Sequence, residues 1–145
     1  MVNAGCDGLL ITDLPVGADP PLESRFTASP LAFIRLVAPT TPVDRMKLIA
    51  QNGSGFVYLI SRLGVTGMQQ QIAPELGSTV ARLRSVTTLP ICVGFGVTDA
   101  RQAAGVAAVA DGVVVGSAIV RAAGTSVDAA IALTRSLRAG IDNAG

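Results

Sequence analysis

Five short apolar runs, each cut off by glycine, proline or a polar residue and most of them followed by a helix-like stretch, leave this chain little choice of fold. They are Gly8 to Asp13, Ala32 to Ala38, Gly55 to Ser61, Pro90 to Val97 and Gly112 to Gly116. Runs of this length read as buried strands. Strands alternating with helices build a parallel α/β sheet. The run starts are evenly spaced except across residues 62–75, where about a dozen residues are added. An ordered insertion after a strand's C-terminal end is usually functional.

The intervening segments carry helix signals of unequal strength. Thr41-Pro42-Val43-Asp44 predicts a helix start, with Thr41 as N-cap, Pro42 at the first position and Asp44 reaching back. Val43, Met46, Ile49 and Ala50 form its apolar face, and Gly53 stops it. Leu76 to Val86 predicts a helix with Val80 and Leu83 inward. Thr98 is expected to cap an alanine-rich helix ending at Ala108. Ser117 to Ala122 predicts a short helical turn, and Thr125 to Ala139 a last helix opened by a Thr125/Asp128 capping box. Leu22 to Ala28 gives a poor helix signal in a proline-rich stretch.

Composition narrows the chemistry. Of 145 residues, 50% are apolar and only 14% charged, against about 25% charged in a typical soluble domain. This is one domain with much buried backbone. Cys6 and Cys92 sit in apolar runs and read as buried free thiols rather than a disulfide or metal site. A net charge of +1 without a basic block argues against nucleic acid. No run approaches the roughly 18 apolar residues of a membrane span, and no charged-then-apolar leader opens the chain, so it reads as cytoplasmic. The chain has no histidine, which removes the usual general base and most zinc sites. Its one lysine, Lys47, lies in a helical pattern, away from where a Schiff-base lysine would stand.

Sites in parallel α/β folds lie at the C-terminal ends of strands. Of the ten carboxylates, only Asp13 ends a strand. Glu75 flanks the long insertion. Asp7 and Asp111 precede strands, and the others fall in helices, caps or tails. The strongest local feature is a pair of glycine turns: Val93-Gly94-Phe95-Gly96-Val97 and Val113-Val114-Val115-Gly116-Ser117. Glycine lets the backbone approach an anion closely, and helix N-termini hold phosphate. In a (β/α)8 barrel the loops after the last two strands, with a short extra helix, form a recurrent phosphate site. Asp7-Gly8 and Asp111-Gly112 precede the first and last strands alike, a weak internal echo of barrel symmetry. The expected fold is α/β, a partial (β/α)8 TIM barrel of about five parallel strands with flanking helices. Arg62-Leu63-Gly64-Val65-Thr66-Gly67 reads as a lid hinged at two glycines, fed by the strand that carries Tyr58, the only tyrosine.

These residues also carry a family resemblance. Phe56 to Gly67, Val93 to Val97 and Asp111 to Val120 closely resemble the tryptophan synthase alpha subunit, as do Asp7 to Pro15 and Ala38-Pro39-Thr40-Thr41. The resemblance implies a (β/α)8 barrel, tryptophan biosynthesis, and a carbon–carbon lyase that cleaves indole-3-glycerol phosphate to indole and glyceraldehyde 3-phosphate. It implies that Gly67, Phe95, Gly96, Gly116 and Ser117 bind the glycerol phosphate. Tyr58, Arg62, Gly64, Thr66 and Asp13 would support the active site and its lid, and Pro15 would lie beside Asp13 near the partner. The partner is a beta subunit in an alpha2beta2-type complex. Pyridoxal phosphate is expected only in that subunit, and no cofactor or metal in this chain.

The resemblance spans residues 1–145 as the C-terminal part of such a barrel, about strands four to eight. The family's catalytic glutamate and aspartate belong to the N-terminal part, so no catalytic residue is expected here and the chain alone is expected to be inactive. Its open edges would favour self-association or a missing half. The alternative is a non-catalytic half-barrel that binds phosphate or a beta subunit. Other phosphate-binding barrels share the two glycine turns but lack the Ser61 to Gly67 segment.

Overall fold

The computed structural model describes residues 2–61, 74–94 and 96–144. After a 3-10 turn at Val2–Ala4, the elements run β1 (Gly8–Leu10), α1 (Pro20–Thr27), β2 (Ala32–Val37), α2 (Val43–Gln51), β3 (Val57–Ile60), α3 (Pro74–Arg84), β4 (Ile91–Gly94), α4 (Ala100–Ala107), β5 (Gly112–Val114), α5 (Ser117–Thr125) and α6 (Val127–Asp142). The five strands are parallel and lie in sequence order, β1-β2-β3-β4-β5. Parallel neighbours in chain order, each joined through a helix, are the repeating unit of a (β/α) barrel. The described sheet is about half of one.

Burial along the strands follows the two-residue period of side-chain direction. In β2, Phe33, Arg35 and Val37 are buried while Ala32, Ile34 and Leu36 are half-buried. In β3, Val57 and Leu59 are buried, and Tyr58 and Ile60 half-buried. Ile91 and Val93 continue the buried row in β4. This row packs on the helices in one core with Met46, Ala50, Val80, Leu83, Ala103, Val106 and Leu137. The registers Leu36↔Tyr58↔Cys92↔Gly112 and Ile60↔Gly94↔Val114 set the opposite row on the barrel-interior side. That side is only partly covered. Apolar exposure also marks the flanks, at Leu10 on the β1 edge and at Val120, Val127 and Ile131 on α5 and α6.

Several sequence expectations are corrected. The first strand is not a buried run to Asp13. It is Gly8–Leu10, and Leu10 is 38% exposed because β1 is an edge of the described sheet. Cys6 is exposed and Cys92 half-buried, both as free thiols. The α1 segment is a full helix: Asp19 accepts from the Leu22 N–H, and Pro20 and Pro21 take the first turn, where a missing N–H costs nothing. At α2 the N-cap is Pro42, without a side-chain cap. Thr41 instead closes a turn, its Oγ1 accepting from the Ala38 N–H, and Val43 is exposed. Asp99, not Thr98, caps α4, while Gln102 reaches back to accept from Thr98. Ser126, not Thr125, caps α6, because α5 runs on to Thr125. Met46, Ala50, Val80 and Leu83 are buried as expected.

The helices that follow β4 and β5 make the tightest helix contact. At Gly140 of α6, an added methyl would lie 2.3 Å from the Ala100 carbonyl oxygen of α4, whereas at Gly124 of α5 it would meet nothing within 4 Å. Gly140→Ala is therefore expected to cost about 1–3 kcal/mol by forcing α4 and α6 apart. Gly124→Ala is expected to gain about 0.5–1 kcal/mol from helix propensity. Urea unfolding midpoints of the two variants check this, and shifts in the same direction would contradict it.

Candidate functional site

The two glycine turns leave the sheet side by side. Gly94 of β4 pairs with Val114 of β5, so Gly96 and Gly116 each stand two residues beyond a paired position on neighbouring parallel strands. The two glycines serve different physical needs. Gly96 has φ +85°, a left-handed backbone that strains any residue with a Cβ. Gly116 has φ −111° and open space where a side chain would be. It is the N-cap of α5 and gives that helix no side-chain cap. The first N–H groups of a helix have no intrahelical acceptor. At Ser117 those donors, the positive end of the helix dipole and a clear space before them form an anion-holding arrangement.

Tyr58 and Cys92 lie on the interior row beneath this end. A methyl on Gly94 would come within 2.5 Å of the Tyr58 hydroxyl and 2.8 Å of the Val114 carbonyl oxygen, and one on Gly112 within 2.7 Å of the Cys92 sulfur. Each larger side chain thus leans over a glycine of the next strand. Burial raises the Tyr58 pKa above its ordinary value. Burial, and secondarily the charge of Asp111, raise the Cys92 pKa, which keeps the thiol protonated and unreactive at neutral pH. Beyond Tyr58, the Ser61 N–H donates to the Gly94 carbonyl oxygen (2.8 Å), tying the end of β3 to β4 where the long insertion begins.

Asp13 is exposed in the loop after β1, at the opposite edge of the sheet with β2 and β3 between it and the glycine turns. The structure therefore joins Gly96, Gly116 and Ser117 at one end of β4 and β5, sets Tyr58 on the adjacent strand, and keeps Asp13 apart. Arg62, Gly64, Thr66, Gly67 and Phe95 lie outside the described residues. Among the described residues no group of three or more His, Cys, Asp or Glu is placed to hold a metal, and no helix is long and apolar enough to cross a membrane.

Asp111, expected on the stability face, accepts from the Ile91 N–H (2.9 Å) and pairs with Arg84 (3.1 Å). Sequence reading missed a second charged group. Glu23 and Arg35 form an ion pair at 2.5 Å, with their side chains 9% and 4% exposed. The available signal was an arginine in the middle of the apolar run Phe33-Ile34-Arg35-Leu36-Val37.

These features define a class: half of a parallel (β/α) barrel, five strands with flanking helices and two glycine turns at the ends of neighbouring strands. The chain belongs to the family described as "Tryptophan synthase alpha chain", whose family model matches residues 1–142. The tryptophan synthase alpha chain of Desulfatibacillum aliphaticivorans is 52% identical over 118 residues, which are 81% of this chain and 44% of that protein. The Lactiplantibacillus plantarum protein of the same name is 41% identical over 138 residues, 93% of this chain and 52% of its own. Among solved structures, Mycobacterium tuberculosis tryptophan synthase superposes with a TM-score of 0.84 at 36% identity, covering 96% of this chain and 53% of that one. The alpha subunit from Legionella pneumophila gives 0.82 at 33% identity, covering 98% and 54%. The chain thus spans about half the length of the curated relatives it matches.

Two carboxylates link this geometry to pH. At Glu23, burial alone would raise the pKa, but the Gly17 N–H and the Arg35 guanidinium outweigh it, and the net value is lowered from 4.5. At Asp111, the Ile91 N–H is the main cause of a value lowered from 3.8, opposed by burial and aided by Arg84. A carboxylate with a lowered folded pKa adds stability that is full above its unfolded value and is lost as pH falls through the folded one. The urea midpoint is therefore expected to fall as pH drops below about 5, and to fall less steeply in Asp111→Asn. A midpoint that is flat or rises over that range would contradict the assignment.

Proposed function

We propose that this chain is the phosphate-binding half of a tryptophan synthase alpha-type barrel and serves tryptophan biosynthesis as part of a lyase. The observation that carries the reading is the uncapped N-terminus of α5 at Gly116-Ser117 beside the Gly96 turn, in a chain that belongs to this family. The proposed substrate is indole-3-glycerol phosphate, with indole and glyceraldehyde 3-phosphate as products. In this reading the phosphate accepts hydrogen bonds from backbone N–H groups at Gly96, Gly116 and Ser117, with Phe95 and Gly67 completing the cradle. Backbone donors at a helix end bind the dianion without a cationic side chain. Tyr58 lines the interior next to the indole end. Arg62, Gly64 and Thr66 belong to the lid, which excludes water on closing.

Cleavage breaks the bond between the indole ring carbon and the glycerol side chain. A proton must arrive at that ring carbon and one must leave the side-chain hydroxyl that becomes the aldehyde, while the ring nitrogen gives up its proton as the carbon is protonated and regains it as the bond breaks. This work needs a positioned acid–base pair. From the family resemblance we assign it to the glutamate and aspartate that the family carries on its second strand and the loop that follows, in the N-terminal part of the barrel. Indole would pass to a beta subunit that holds pyridoxal phosphate, with Asp13 and Pro15 on the side facing it.

Two measurements test the reading. Titration with glycerol 3-phosphate is expected to show saturable binding, weakened at least about tenfold by Gly116→Asp, which sets a like charge where the anion would sit; no saturable binding to the unsubstituted chain overturns the phosphate site. Incubation of the chain alone with indole-3-glycerol phosphate is expected to release no indole, and turnover above buffer overturns the placement of the acid–base pair elsewhere.

A second reading is favoured by the interior row, which is only half-buried among the described residues. It is a non-catalytic half-barrel that binds phosphate or a beta subunit, or associates with its own copies through the open edges. Co-purification with a beta subunit and a faster indole-to-tryptophan step would select it.

A further inference from the structure

Away from the glycine turns, the described residues contain one ion pair buried on both sides. Arg35 points from the middle of β2 to the helix-covered face. Its Nη2 donates to Glu23 Oε2 of α1 at 2.5 Å, its Nε to the Asn52 carbonyl oxygen at 2.9 Å, and its Nη1 to the Leu14 carbonyl oxygen at 3.0 Å. The guanidinium carbon lies 3.8 Å from the centre of the Phe33 ring. The other carboxylate oxygen of Glu23 accepts from the Gly17 N–H at 2.7 Å. Arg45 of α2 adds a donation to the Val16 carbonyl oxygen at 2.9 Å. Side chains from β2, α1 and α2 therefore grip Leu14, Val16 and Gly17 by their backbone, in the loop that presents Asp13 and Pro15.

Stability alone is a weak account of this pair. Desolvating two charges costs as much as their attraction returns, and apolar residues of similar volume in such a place are often neutral or better. An apolar pair would fill the space under α1, but it could satisfy neither the Leu14 carbonyl nor the Gly17 N–H. The effect that only the charged pair supplies falls on the loop.

We propose that Glu23 and Arg35 are positioning residues that fix the backbone of Leu14 to Gly17 and so set how Asp13 and Pro15 are presented. The functional weight of that presentation rests on the reading above, in which Asp13 and Pro15 lie on the side facing the beta subunit. The clamp itself does not, and it is measurable on the full chain without substrate or partner.

The test is amide hydrogen exchange of the chain, of Glu23→Leu/Arg35→Met and of Glu23→Gln. The informative amide is that of Ala18, which donates to the Pro15 carbonyl oxygen and not to either side chain of the pair, whose bonds to the backbone go to Gly17, Leu14 and Asn52. In the double variant, Ala18 is expected to exchange at least about tenfold faster while the β3 and β4 amides keep their protection. A pair that only fills the core predicts wild-type exchange at Ala18, and that result overturns the proposal. Acceleration confined to Gly17, the direct loss of one hydrogen bond, also overturns it. Should the double variant lose its core protection, Glu23→Gln reads the same amides: faster Ala18 over an unchanged core supports the clamp, and equal acceleration of loop and core overturns it.

Discussion

A parallel sheet must be covered on both faces, and the described residues meet that demand on one of them. Along β2, β3 and β4 the helix-facing residues Phe33, Val37, Val57, Leu59, Ile91 and Val93 are nearly or fully withdrawn from water. Their neighbours Ile34, Leu36, Tyr58, Ile60 and Cys92, one residue along, are only half-buried. Burial free energy scales with the apolar area removed from water, so the helix side supplies most of what holds the described fold. The candidate site stands at the ends of the other side. Stability and site chemistry are thus divided by the direction in which alternate side chains point.

Much of this was legible in the sequence because it depends on period and punctuation. The five apolar runs became the five strands, and the inward positions Met46, Ala50, Val80 and Leu83 followed from helical spacing. Exact caps were not legible. Thr98 stands beside Asp99, and Thr125 beside Ser126. Each pair offers two side chains able to accept from the helix N-terminus, and the backbone path, which sequence does not display, decides between them. Asp19-Pro20-Pro21 looked like a break and is a helix start, since proline is disruptive only where its N–H would have been used. The β1 run looked buried because its composition is apolar, yet burial there depends on what lies beyond the edge of the sheet.

The site was legible as a pattern and not as a mechanism. Two glycine turns on consecutive strands were legible, and the structure brings them side by side. It also separates their reasons: positive φ at Gly96, open space before a helix at Gly116. Asp13 follows the edge strand β1, with β2 and β3 between it and the glycine turns, and a strand-end rule does not say how many strands apart two residues will be. Arg35 was visible as an anomaly in an apolar strand, but its partners come from a loop, from α1 and from Asn52 just past the end of α2, up to 21 residues away in sequence, a distance at which local pattern carries no information.

The leaning of Tyr58 over Gly94, and of Cys92 over Gly112, gives the interior row a stepped profile in which bulk on one strand occupies the vacancy on the next. Those four positions hold a shared volume. A larger residue at either glycine requires a smaller one at its neighbour, so in descendants of this sequence the two pairs should drift together, Tyr58 with Gly94 and Cys92 with Gly112. Single changes at any of the four would be the rarer path.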